Sequence, residues 1–178
     1  KAANTKHHQP ELIMSFFGSK KYNESREAKA HRVSLTESLT FELVSLKSLV
    51  GAIDALPAGA EVSVTHSPSK GIEETQRLTT ELCELGFAAI PHISARMVRD
   101  RSLTIELAAW CRELGLRKIF IVGGDDKEPG EYPGAVEFLA DFLTANHGVQ
   151  TIGVTAYPDG HAFLTDKKLR WALHEKQR

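Results

Sequence analysis

The sequence predicts an α/β fold in which a parallel sheet is covered by helices, and three observations predict it. From residue 38 onward, short apolar runs of β character alternate with longer stretches of helical period. Five such strand-helix pairs follow one another, and right-handed crossovers between them make the strands parallel. The chain has 178 residues, 42% of them hydrophobic, with 22 Lys plus Arg against 23 Asp plus Glu, which supports one or at most two compact domains and excludes disorder throughout.

The elements follow in order. Residues 1–33 form a basic, partly helical arm: residues 1–32 carry a net charge of +4 and the rest of the chain −5. The arm holds an apolar patch, Leu12-Ile13-Met14 with Phe16-Phe17, suited to packing on the main body or on a partner, including a second copy of the chain. Its positive charge follows the patch instead of lining the opposite face, which argues against a membrane-surface helix. Residues 34–178 form the main domain. Its strands are expected at Leu39–Val44, Glu61–Thr65, Phe87–Ile93, Lys118–Val122 and Gln150–Ala156. Its helices are expected at about 46–56, 71–85, 98–114, 134–146 and 166–177. Ile72, Leu78, Leu82 and Leu85 make an apolar stripe on the second helix, and Leu103, Leu107, Trp110, Cys111 and Leu114 do so on the third. Gly86 and Gly115 stand where helix stops belong, and Ser45, Ser69 and Asp166 are candidate N-caps.

This rhythm does not choose between a doubly wound sheet and a (β/α)8 barrel. A barrel takes about 250 residues, and five units are visible here. The last helical stretch runs to Arg178 without a stop signal, as if the fold were interrupted.

Composition narrows the function. A net charge of −1 and a pI near 6.8 make no broad field for nucleic acid or acidic lipid, so an anionic ligand must be held locally. Two cysteines, Cys83 and Cys111, form neither a disulfide framework nor a CxxC metal site, and they suit a reducing cytosol. No apolar run approaches the roughly 18–20 residues of a membrane helix. The expectation is a cytoplasmic protein without nucleic-acid or membrane partners and without a metal; His7 and His8 read as solvated.

In either architecture ligands gather at the carboxyl ends of the strands. Glu42 ends the first strand among Phe41, Leu43 and Val44, where desolvation favours a protonated carboxyl fit for general acid work; the plainer reading is an ion pair with a nearby Lys or Arg. Thr65 and His92 end adjacent strands and can converge on one ligand. Strand alternation turns one of Thr65 and His66 away, and Thr65 is kept. Gly123 and Gly124 allow close approach to the backbone, although no GxGxxG pattern is present. Asp125 beside them suits ring N–H donors better than a diphosphate. Tyr157 and His161 flank a turn after the fifth strand and offer a ring-covering face.

With these residues located, the sequence Thr40-Phe41-Glu42, Val62-Ser63-Val64-Thr65, Pro91-His92-Ile93, Gly124-Asp125 and Ala156-Tyr157-Pro158-Asp159-Gly160-His161 resembles the methylenetetrahydrofolate reductase family over about residues 38–177. The resemblance implies a (β/α)8 TIM barrel, here its first five strand-helix units with an N-terminal extension. It also implies non-covalent FAD, NADH or NADPH as reductant, and reduction of 5,10-methylenetetrahydrofolate to 5-methyltetrahydrofolate. Through it, Glu42 matches the acid that protonates the folate, and Asp125 the carboxylate near pterin and flavin. Thr65, His92, Gly124, Tyr157 and His161 match flavin contacts, with Gly123 beside them. Lys176 matches a lysine reaching FAD from the fifth helix, and Tyr132 an aromatic near the adenosine.

This chain departs from the pattern in three places. Leu43-Val44-Ser45 replaces aromatics and Pro-Pro, His66-Ser67 replaces Tyr-Gly, and Gly123 replaces an Arg, removing a cation near the cofactor. Two other functions fit the residues: a flavin-free tetrahydrofolate-dependent methyltransferase on the same barrel, and a non-catalytic folate-binding or partner subunit.

Overall fold

The computed structural model describes residues 25–44, 49–66, 69–162 and 164–177. The chain divides into two compact units, Lys1–Ser38 and Leu39–Arg178. In the first, α1 (Arg26–Glu37) starts where the Ser25 side chain accepts a hydrogen bond from the Ala28 amide at 3.1 Å. The helix thus passes the expected arm boundary at residue 33 by one turn, closing where the Ser38 amide donates to Ser34 and Leu35 carbonyls. The patch Leu12 to Phe17 and the pair His7-His8 lie outside the described residues.

The second unit runs β1 (Thr40–Leu43), α2 (Leu49–Asp54), β2 (Glu61–Val64), α3 (Gly71–Glu84), β3 (Ala88–Ser94), a 3-10 turn (Ala95–Met97), α4 (Arg101–Glu113), β4 (Lys118–Val122), α5 (Ala135–Thr144), β5 (Thr151–Val154) and α6 (Asp166–Lys176). All four strand pairings are parallel and the spatial order is β1-β2-β3-β4-β5. Each crossover therefore steps the same way. Right-handed steps in one direction lay the helices on one face, whereas a doubly wound sheet reverses its order partway.

Side-chain alternation makes the two faces chemically distinct. Leu43, Val62, Val64 and Ala89 pack with Leu78 and Leu82 of α3. Ile93, Ile119 and Ile121 pack with Leu107 and Cys111 of α4 and with Phe138 and Phe142 of α5. Full burial of a side chain such as Phe138 contributes about 1.5–3 kcal/mol. The residues between these, Thr40, Glu42, Glu61, Ser63, His92, Lys118 and Phe120, share the other face by register. That face is largely polar. Lys118 there forms an ion pair with Glu61, reaching from β4 to β2 across β3, and Thr40 donates to the same carboxylate at 2.7 Å.

Several element ends differ from expectation. Strand β1 is shorter by one residue at each end, and β5 ends at Val154 instead of Ala156. Helix α4 begins at Arg101, not at 98, because Val98 is buried in the core and the Asp100 carboxylate caps the helix, accepting from the Leu103 amide at 2.9 Å. The N-cap position of α3 falls one residue past the expected Ser69. Lys70 holds that position without a side-chain capping bond, and Glu73 and Glu74 in the first turn offset the helix's positive end instead. Asp166 is not a cap but a first-turn acid behind Thr165, whose hydroxyl accepts from the Lys168 amide at 3.4 Å. Ser45 lies outside the described residues.

Candidate functional site

The carboxyl ends of the strands carry two groups of polar residues. The first is a row on the polar face. Thr65 follows β2, its amide donating to the Leu43 carbonyl at 2.9 Å, and its hydroxyl donates to Oε1 of Glu42 on β1. That bond fixes one carboxylate oxygen. His92 on β3 stands close enough to Glu42 to feel its charge; burial depresses the imidazole's pKa below the usual 6.5, and the Glu42 carboxylate works in the opposite direction. The His92 ring leans on Phe120 of β4, with centroids 4.9 Å apart and planes at 39°. Across from Phe120 stands Gly153, where any side chain would collide with the Phe120 ring.

Glu42 does not sit in an apolar pocket formed by its sequence neighbours: Phe41 and Leu43 point to the helix-covered face, and Glu42 is exposed on the other. A residue next in sequence on a strand is opposite in space. Alternation also sorts Thr65 from His66. Thr65 reaches the row, while His66 is 9% exposed, with Nε2 against the Met97 sulfur and Nδ1 3.4 Å from the Thr75 hydroxyl.

The second group lines a cleft of about 960 Å³ beyond the ends of β4 and β5, bounded by the start of α5 and by α6. Gly123, Gly124, Asp125, Tyr157, His161 and Lys176 all border it. Gly124 adopts φ +88°, and a Cβ there would strike the Ser94 hydroxyl, so this turn requires glycine. Asp125 is exposed at the rim. Tyr157 and His161 meet edge to face, at 4.9 Å and 77°, around a turn closed by the Gly160 amide donating to the Tyr157 carbonyl at 3.2 Å. Lys176 extends from the last turn of α6 and donates from Nζ to the Thr155 carbonyl at 2.6 Å; partial burial lowers its pKa.

Glu42, Thr65 and His92 therefore form one group, and the glycine pair, Asp125, Tyr157, His161 and Lys176 another. Tyr132 joins neither. It is 4% exposed within the core, its hydroxyl accepting from Thr104 at 2.9 Å and donating to Asp141 at 2.9 Å, with its ring edge-on to Phe138. Those bonds account for the phenol and turn it away from a ligand.

Arg96 and Trp171 of the cleft wall escaped the sequence reading. Arg96 follows β3 by two residues, and Trp171, 47% exposed, stands on the cleft side of α6. A search of strand ends carried past His92 into the loop would have reached Arg96. Trp171 shows no such signal, since its cleft-facing position depends on how α6 docks.

Among the described residues, no group of three or more His, Cys, Asp and Glu side chains is arranged to hold a metal ion. No described helix is long and apolar enough to cross a membrane. No model of a known protein family matches the chain.

Proposed function

We propose that this chain forms part of the (β/α)8 barrel of a flavoprotein that reduces 5,10-methylenetetrahydrofolate with NADH or NADPH. The observation that carries the reading is the pairing of a carboxylate row, Glu42-Thr65-His92, with a dinucleotide-sized cleft at the same end of one singly wound parallel sheet.

FAD fits the residues present. The cleft volume of about 960 Å³ suits a ligand of that size, a Cβ added at Gly123 would meet nothing within 4 Å, and Tyr157 and Trp171 supply exposed aromatic surface for rings. Lys176, Tyr157, His161 and the Gly123-Gly124 backbone would hold the cofactor, with Thr65 and His92 at the isoalloxazine side. The bound flavin supplies hydride acceptance from the nicotinamide and hydride donation to the folate. Asp125 at the cleft rim accepts hydrogen bonds from pterin N–H groups. Bound flavin and folate would cover the row and desolvate Glu42, so that it gives its proton to the folate ring nitrogen, opening the five-membered ring so that the methylene carbon can receive hydride. Thr65 holds Oε1 of Glu42, leaving Oε2 to carry the proton.

The first test is the visible absorbance of bound flavin in the purified full chain, alone and after adding FAD. The second is Glu42→Gln, which keeps the Thr65 bond and removes the transferable proton. Flavin reduction by the nicotinamide should stay within a factor of about two, while its reoxidation by methylenetetrahydrofolate slows by about 10² to 10⁴. Equal slowing of both half-reactions overturns the role of Glu42. Folate binding without any flavin binding supports the flavin-free methyltransferase instead.

A further inference from the structure

Arg96 and Lys176 both border this cleft, one from the β3–α4 connection and one from α6. Both are half-buried, and both are held by backbone carbonyls instead of carboxylates. Arg96 Nε donates to the Asp126 carbonyl at 2.6 Å and Nη1 to the Pro133 carbonyl at 3.1 Å. The Asp126 carboxylate, the nearest acid in sequence to that bond, is engaged elsewhere: its Oδ1 accepts from the Glu128 amide at 3.0 Å. Lys176 Nζ is bonded to the Thr155 carbonyl. Asp125, Asp126, Glu137, Asp159 and Asp166 share the lining, yet neither Arg96 nor Lys176 forms an ion pair with a carboxylate among the described residues; carbonyls orient a cation without neutralising it, and a half-buried cation so held favours an anion that can enter.

We infer that the cleft contains an anion subsite for a phosphate or diphosphate group, with the Arg96 guanidinium as its principal donor and Lys176 as its second cation. Arg96 brings five N–H donors in a planar fork; two are spent on loop carbonyls, which fix the plane, and those remaining have no acceptor among the described residues. Its backbone is fixed as well, its amide donating to the Gly123 carbonyl and its carbonyl accepting from the Gly130 amide, each at 3.0 Å. The guanidinium is therefore held in the cleft lining between the Asp126 and Pro133 carbonyls. That the phosphate belongs to a flavin nucleotide rests on the function proposed above; the subsite itself does not.

The test titrates the full chain with ADP, which carries the diphosphate without a flavin, with riboflavin, which carries the flavin without phosphate, and with FAD. Arg96→Met should weaken ADP and FAD by about 10- to 100-fold and leave riboflavin unchanged. Arg96→Lys keeps the charge and loses the fork, so it should weaken ADP by about tenfold, and it serves if Arg96→Met does not fold. If ADP binds with Arg96 dependence but neither riboflavin nor FAD binds, the subsite stands and the flavin reading fails. If FAD binds equally well to wild type and both variants, or ADP does not bind at all, the subsite is overturned.

Discussion

His66 and Thr65 are adjacent in sequence yet meet different surroundings, because a strand end sends neighbouring side chains to opposite faces. Thr65 keeps its hydroxyl on Glu42; His66 is packed against Met97 and Thr75. Burial lowers the His66 pKa below 6.5, the nearby Glu73 opposes that shift, and His92 adds to it. His92 is depressed too, again chiefly by burial. In the pH interval between 6.5 and those lower folded values, the unfolded chain binds protons that the folded chain refuses. The histidine contribution to stability is therefore complete above pH 6.5 and declines as pH falls below it. Chemical denaturation between about pH 7.5 and 5.5 should show this decline, and His66→Gln should flatten it. An identical pH slope in the variant would remove His66 as a source.

At the scale of elements, the connection leaving β4 takes its shape from the connection leaving β3. The Gly130 amide donates to Arg96 and the Glu131 amide to Arg99, while Gly130 lies so close to Val98 and Arg99 that a Cβ would overlap their backbone. Backbone atoms cannot rotate aside as a side-chain tip can. Gly130→Ala should therefore destabilise the fold by about 1–3 kcal/mol through overpacking. Because the displaced segment carries the Asp126 carbonyl that holds the Arg96 guanidinium, the variant should also weaken ADP binding, measured by calorimetry. A variant with wild-type stability and affinity would show that the two connections move independently. Helix starts illustrate the same dependence: Asp100 caps α4 only because Val98 is drawn into the core, so a periodicity that included residue 98 placed the helix three residues early.

For the unit Leu39–Arg178, the difference between the two faces of the sheet matters most. The helix-facing surface is closed by apolar packing, but the polar face exposes Thr40, Glu42, Lys118 and Thr151, and among the described residues β1 and β5 each pair on one edge only. Unpaired strand edges carry open N–H and C=O groups that template association. The chain of residues 1–178 should therefore associate as its concentration rises in sedimentation velocity, and its thermal unfolding should be broad or poorly reversible. A monomer at all concentrations with one sharp, reversible transition would mean that these edges are protected. The partly exposed Glu61–Lys118 pair adds little stability to set against this, since its Coulomb attraction is screened by water.

The alternation of strands and helices, the parallel sheet and most element positions were legible from residue 38 onward, because burial of one helix stripe and one strand face leaves a local period in the sequence. Glu42, Thr65 and His92 were also legible as strand-end residues, because parallel strands gather their carboxyl ends. Their direct association, through the Thr65–Glu42 bond and the Glu42–His92 electrostatic contact, required the register. The core position of Tyr132 and the cleft position of Trp171 were decided by tertiary structure alone. Each depends on which face a side chain takes and which distant segment packs against it. Local sequence carries the period of a strand or helix, but the partner that fills each face comes from chain tens of residues away.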